Sequence, residues 1–66
     1  MQILVNGEVH SVAATTALPA LIEQMRLGER RLAVELNGAI VPRSSWADTA
    51  LNDGDRLEIV HAIGGG

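Results

Sequence analysis

Two Asn-Gly dipeptides, Asn6-Gly7 and Asn37-Gly38, constrain this chain most. Each directly follows a short alternating segment. Met1, Ile3 and Val5 face one way, and Gln2 and Leu4 the other. Leu32, Val34 and Leu36 form one face, and Ala33, Glu35 and Asn37 the other. Period-two alternation is the pattern of a half-buried strand. Asn and Gly both tolerate positive φ, so Asn-Gly after such a strand signals a tight turn into an antiparallel return. Glu8 to Val12 is then the first return strand. The second return is the apolar pair Ile40-Val41, which Pro42 confines to an edge or a strand end.

The period changes between these two units. Leu18, Leu21, Ile22 and Met25 stand at i, i+3, i+4 and i+7, which is one face of a helix. Thr16 is its expected N-cap, and Pro19 falls in the first turn, where a missing N–H costs little. Gly28 is expected to end it in the left-handed conformation. Arg26 is placed in the last turn, with Arg30 and Arg31 just beyond, where the negative helix terminus favours them. Met25 reads as core filler. Ser44 to Asp48 predicts one helical turn capped by Ser44 or Ser45. Asn52-Asp53-Gly54-Asp55 reads as a tight turn. Arg56 to Val60 is the last strand, with Leu57 and Ile59 inward and Glu58 and Val60 outward. The order is strand, strand, helix, strand, short strand, turn, strand. It predicts an α+β fold: a mixed sheet with one helix packed on one face. The first and last strands would be central and parallel, which is the ubiquitin-like β-grasp. Residues 1–63 are assigned to this domain and residues 64–66 to a flexible glycine tail.

Size and composition narrow the function. With 66 residues the chain is one domain at most. A domain this small buries only about 60% of the surface its unfolded chain exposes. A pocket large enough for substrate would consume its single core layer, so a stand-alone enzyme is disfavoured. There is no cysteine, which excludes disulfides, Cys-ligated zinc and a nucleophilic thiol. A small domain without disulfides suits a reducing, cytoplasmic compartment. The first seven residues lack the basic and apolar regions of a signal peptide, and no apolar run is long enough to span a membrane. A net charge of −3 and a lone aromatic, Trp46, argue against nucleic acid.

Chemistry concentrates at the C-terminus, where Gly64, Gly65 and Gly66 follow the last strand through Ala62 and Ile63. The six residues from His61 reach about 20 Å when extended. Glycine makes a thread no wider than the backbone, able to enter a narrow channel. A terminal carboxylate on Gly66 could thus be delivered into another protein's active site. Activating it with ATP requires Mg²⁺ and a phosphate clamp, and this chain has no Gly-rich phosphate loop before a helix and no cluster of bases. The activating machinery belongs to a partner. If sulfur is carried, it rides on the terminal carboxyl, because there is no thiol.

The stretches Leu32 to Asn37, Ile40-Val41-Pro42-Arg43, Trp46-Ala47, Asp53 to Val60 and Gly65-Gly66 together resemble the ThiS family, ubiquitin-like sulfur carriers of thiamine thiazole biosynthesis. The resemblance spans nearly the whole chain and is strongest from Leu32 onward. It implies that a ThiF-like adenylyltransferase adenylates Gly66 with ATP and Mg²⁺. A sulfur donor system then makes a thiocarboxylate, 1-thioglycine, and thiazole synthase (ThiG) accepts the sulfur. Gly65 and Gly66 match the family diglycine, and Gly64 is an additional glycine that would thread with them. Ala13 to Thr16 lacks the glycine found in many members.

An uncovered sheet face is where such partners would dock. Leu4, Val60 and Ile63 are its expected apolar residues, and Glu35 and Glu58 would complement a basic partner. His10 and His61 read as surface histidines with no closed metal site. Asp53-Gly54-Asp55 reads as a turn and not a calcium loop. Trp46 reads as a packing anchor. Two other functions fit the same pattern: a MoaD-like carrier serving molybdopterin synthesis, and a ubiquitin-like interaction module with a dispensable tail.

Overall fold

A computed structural model describes residues 1–26 and 31–61. Five strands form one sheet: β1 (Gln2–Val5), β2 (Glu8–Ser11), β3 (Leu32–Leu36), β4 (Ala39–Ile40) and β5 (Arg56–His61). The helix α1 (Leu18–Gln24) lies between β2 and β3, and a 3-10 helix (Arg43–Asp48) between β4 and β5. The sheet order is β2-β1-β5-β3-β4. β5, the last strand in sequence, is therefore central. It runs parallel to β1 through Leu4↔Arg56 and Val5↔Leu57, and antiparallel to β3 from Leu36↔Leu57 to Leu32↔His61. This is the β-grasp arrangement expected from the element order.

Both Asn-Gly turns are as predicted. Asn6 and Gly7 have φ of 51° and 85°, and Asn37 and Gly38 have φ of 50° and 87°. Positive φ at both central residues matches the right-handed twist of the flanking strands. A two-residue loop also fixes register, giving Val5↔Glu8 in the first hairpin and Leu36↔Ala39 in the second.

Alternation sends one side of each central strand into the core. Ile3 and Val5 of β1, Val34 of β3, and Leu57 and Ile59 of β5 are buried against Leu18, Leu21 and Ile22 of α1. Trp46 and Leu51 complete the core, and Met25 packs half-buried at its margin. The Trp46 indole N–H donates to the Val41 carbonyl at 2.9 Å, and the Arg43 guanidinium lies 5.1 Å from its ring centroid. Trp46 is thus the packing anchor expected, with its one polar atom satisfied.

Four local assignments differ from expectation. Thr16 does not cap α1. The N-cap is Ala17, with no side-chain bond. An isolated bridge, Ala17↔Ala50, brings the Thr49 carbonyl to the Leu18 N–H at 3.1 Å, and Pro19 has no N–H to satisfy. A tertiary backbone contact replaces the side-chain cap. Arg26 is beyond the last helical turn, because α1 ends at Gln24 with Met25 as C-cap. Arg26 itself takes the left-handed conformation, φ 60°. Gly28 and Arg30 lie outside the described residues. Ser44 and Ser45 sit inside the 3-10 helix, whose N-cap is Pro42 with no side-chain bond. The Pro42 carbonyl accepts from the Ser45 N–H at 2.8 Å, so the backbone closes this turn unaided. The second return strand is Ala39–Ile40, one residue earlier than expected, and is an edge strand.

Side-chain amides and carboxylates extend the ladder around β5. Asn37 donates its N–H to the Arg56 carbonyl at 2.7 Å and accepts from the Arg56 N–H on Oδ1 at 2.9 Å. Its Nδ2 donates to Oδ1 of the buried Asp55 at 3.0 Å, while Asp55 Oδ2 accepts from the Asn52 N–H at 2.7 Å. Asp53 Oδ1 accepts from the Gln2 N–H at 2.6 Å.

Two stability changes follow. Leu57→Ala, at a fully buried position on the central strand, is expected to cost about 3 kcal/mol, a large fraction of what so small a domain has. Asn37→Asp would set two carboxylates against each other and is expected to cost about 2 kcal/mol. Urea unfolding followed by Trp46 fluorescence measures both; midpoints unchanged from the parent would contradict these packing and pairing assignments.

Candidate functional site

The helix covers one side of the sheet. The residues that alternate to the other side form the candidate partner face. From β5 these are Arg56, Glu58 and Val60, and from β1 Leu4. From β3 they are Ala33 and Glu35, paired opposite Val60 and Glu58. Val60 is 57% exposed, Glu58 is exposed, and Leu4 and Glu35 are half-buried. The structure thus brings Leu4, Val60, Glu35 and Glu58 onto one face. Ile63, Gly64, Gly65 and Gly66 lie outside the described residues.

Glu35 and Glu58 are direct cross-strand partners. Like charges directly opposite on adjacent strands destabilise a sheet by a few tenths of a kcal/mol to about 1 kcal/mol. They line a shallow open groove of about 270 Å³ with Leu4, Gly7, Gly38, Arg56 and Leu57. The two Asn-Gly turns supply its glycine walls, which add no side chains to narrow it. One cation, Arg56, lies in the groove beside the two carboxylates.

Sequence reading missed two apolar members of this face. Val9 pairs with Leu4 and is 64% exposed, while Ile40 pairs with Glu35 and is 76% exposed. Both follow from turn geometry. A two-residue Asn-Gly loop aligns the residues flanking it, so counting back from each turn places Val9 beside Leu4 and Ile40 beside Glu35. The face therefore carries Val9, Leu4, Val60 and Ile40 from one sheet edge to the other, with its charges between them.

The histidines are apart from this face. His10 pairs with the buried Ile3, and His61 with Leu32. Among the described residues, no group of three His, Cys, Asp or Glu side chains is placed to hold a metal ion. The Asp53-Gly54 segment is a turn with Gly54 at φ 87°, and its carboxylates are used on backbone N–H groups. No helix among the described residues is long and apolar enough to cross a membrane. His61 closes β5 and is the root from which the glycine segment departs.

Known proteins match both this fold and this sequence. The ThiS family model matches residues 3–66. The sulfur carrier protein ThiS of Escherichia coli is 36% identical over the full length of both chains. A thiazole synthase of Paramagnetospirillum magneticum is 47% identical over all 66 residues, and one of Magnetococcus marinus 39%. The chain spans 20% of the length of each of those two synthases. A crystal structure of a ThiS thiamine biosynthesis protein from Geobacter metallireducens superposes with a TM-score of 0.87 at 30% identity, covering both chains completely. With a family match reaching from β1 to the final glycine and a fold shared end to end, the chain belongs to the ThiS family.

Proposed function

We propose that this chain is a sulfur carrier protein that supplies sulfur for the thiazole of thiamine. The observation that carries the reading is the two-way, full-length match to the Escherichia coli sulfur carrier protein, glycine tail included. In this reading the Gly66 carboxylate attacks the α-phosphorus of ATP on a ThiF-like adenylyltransferase. Pyrophosphate leaves and an acyl-adenylate forms. A sulfur nucleophile from the donor system then attacks the acyl carbon, AMP departs, and Gly66 ends as a thiocarboxylate. ATP and Mg²⁺ are bound by the activating enzyme. This chain contributes a terminal carboxylate, a thread of Gly64 and Gly65, and a docking face.

Thiazole synthase is the proposed acceptor. Two thiazole synthases contain a segment like this whole chain, which supports a working contact between such a domain and that enzyme. The docking face is assigned to Leu4, Val60, Ile63, Glu35 and Glu58, with Val9 and Ile40 extending it. Exposed apolar side chains desolvate on contact, while a carboxylate pair selects a basic partner surface.

Intact mass after incubation with ATP, a ThiF-like enzyme and a sulfur source tests the carrier reading. The expected shift is one oxygen replaced by one sulfur, absent from a chain lacking Gly66. No shift with an enzyme active on the Escherichia coli protein would move the reading to an interaction module. Val60→Asp tests the face. It should leave the unfolding midpoint nearly unchanged, since the residue is exposed, and reduce kcat/KM for adenylation by about tenfold. An unchanged kcat/KM would remove Val60 from the interface. Gly65→Ala should slow adenylation without altering the fold, and a normal rate would contradict a narrow channel for the tail.

A further inference from the structure

We propose that Asn37 is a site of spontaneous deamidation gated by the pairing of β5, and that Asn6 in the matching turn is protected from the same reaction. An Asn-Gly step is open to this chemistry because glycine has no Cβ to hinder its own nitrogen. The Gly38 nitrogen attacks Cγ of Asn37. An N–Cγ bond forms, the Cγ–Nδ2 bond breaks, and ammonia leaves with the Gly38 amide proton. Water then opens the five-membered imide at either carbonyl, leaving aspartate or isoaspartate at position 37. One water is consumed and one ammonia released, with no change of oxidation state and no enzyme. Asn6, Gly7, Asn37 and Gly38 are all exposed, and nothing lies within 4 Å of where a Cβ would stand on either glycine. Water therefore reaches both turns.

The fold restrains the reacting amide at both sites. Asn6 Nδ2 donates to the Ile59 carbonyl at 2.9 Å, and the Ile59 N–H donates to Asn6 Oδ1 at 2.8 Å. Asn37 Nδ2 donates to Asp55 Oδ1 at 3.0 Å, and the Arg56 N–H donates to Asn37 Oδ1 at 2.9 Å. Each amide must release these partners before its Cγ can swing over the next nitrogen. The two restraints are unequal. Both Asn6 bonds are partly buried beside the central strand, whereas the bond from Arg56 to Asn37 is exposed. The Asn6 turn closes a hairpin of four residue pairs, and the Asn37 turn closes one of two pairs at the sheet edge. Short edge ladders with solvent-exposed bonds open at the lowest free energy. Asn37 therefore reaches the reactive geometry more often.

The product at position 37 is also hard to reverse. Its carboxylate still accepts from the Arg56 N–H, but it has no proton for Asp55, whose buried carboxylate it then faces. Isoaspartate in addition inserts a methylene into the main chain of a two-residue turn, whose length sets Ile40 against Glu35. Either product loosens the start of β5 and favours further opening. Deamidation is thus a one-way mark that accumulates on chains whose β5 pairing lapses.

Peptide mapping by mass spectrometry tests this on the full chain, aged at mildly alkaline pH in native buffer and in urea above its unfolding midpoint. In urea the two sites should react at similar rates, since both are Asn-Gly steps. In native buffer Asn37 should react about tenfold more slowly than in urea, and Asn6 about tenfold more slowly again. Equal native rates at the two sites, a faster Asn6, or an Asn37 rate indifferent to folding would overturn the proposal. So would an Asn37 that stays unmodified in native buffer while both sites react in urea. Chains modified at position 37 can be isolated by their added negative charge. They should unfold at lower urea than the parent, and an unchanged midpoint would break the link between the mark and β5.

Discussion

The structure depends on the insertion of β5 between β1 and β3. A strand from one end of the chain pairs with one from the other, Leu4 against Arg56, and the sheet has no centre until that pairing forms. The core has the same requirement. Leu57 and Ile59 lie between Ile3 and Val5 on one side and Val34 on the other, and all of them pack beneath α1. A one-layer core of this size has little stability to spare. The polar groups around β5 therefore contribute beyond their number. Asn6 and Asn37 each replace a backbone partner for β5, Asp53 does so for Gln2 of β1, and Asp55 holds the Asn37 amide and the Asn52 N–H of its own turn.

The opposite face follows a different logic. Two carboxylates are direct cross-strand partners there, and Val9, Ile40 and Val60 stand in water. Neither feature stabilises an isolated domain. Local departures from the stability rules concentrate where a surface serves something else. A face that carries apolar side chains across its width, with like charges set between them, has the composition of a binding surface.

Much of this was legible in the sequence because the informative residues act locally. The alternation of Met1 to Val5 and of Leu32 to Leu36 gave strands, and the two Asn-Gly pairs gave hairpins, since φ tolerance belongs to the residue itself. The stripe of Leu18, Leu21, Ile22 and Met25 gave the helix face. Features set by distant chain were not legible. Thr16 was expected to cap α1 because the rule for caps is local, whereas the Thr49 carbonyl that occupies the Leu18 N–H comes from the segment after the 3-10 helix. The same holds for Asn6, whose turn was evident and whose grip on Ile59 was not, because that bond crosses 53 positions. Of the face, Glu35 and Glu58 were found by parity alone. Val9 and Ile40 required register, which the turns contain but which alternation does not reveal. The tail residues Gly64 to Gly66 were legible only as composition and resemblance, since a glycine run carries no side chains from which to argue geometry.

On the proposed carrier reading, the residues assigned to docking share one strand with the core, and this topology couples the two. Val60 and Glu58 lie on the open sheet face, Leu57 and Ile59 in the core, and His61 at the end of the strand, all within six residues. Pairing β5 with β1 and β3 therefore completes the core and the open sheet face in a single step. The long sequence separation between Leu4 and Arg56 makes that step slow relative to the local hairpins and the helix. On that reading, a partner that binds the sheet face before it takes the C-terminus would discriminate folded carrier from unfolded chain without any additional recognition element.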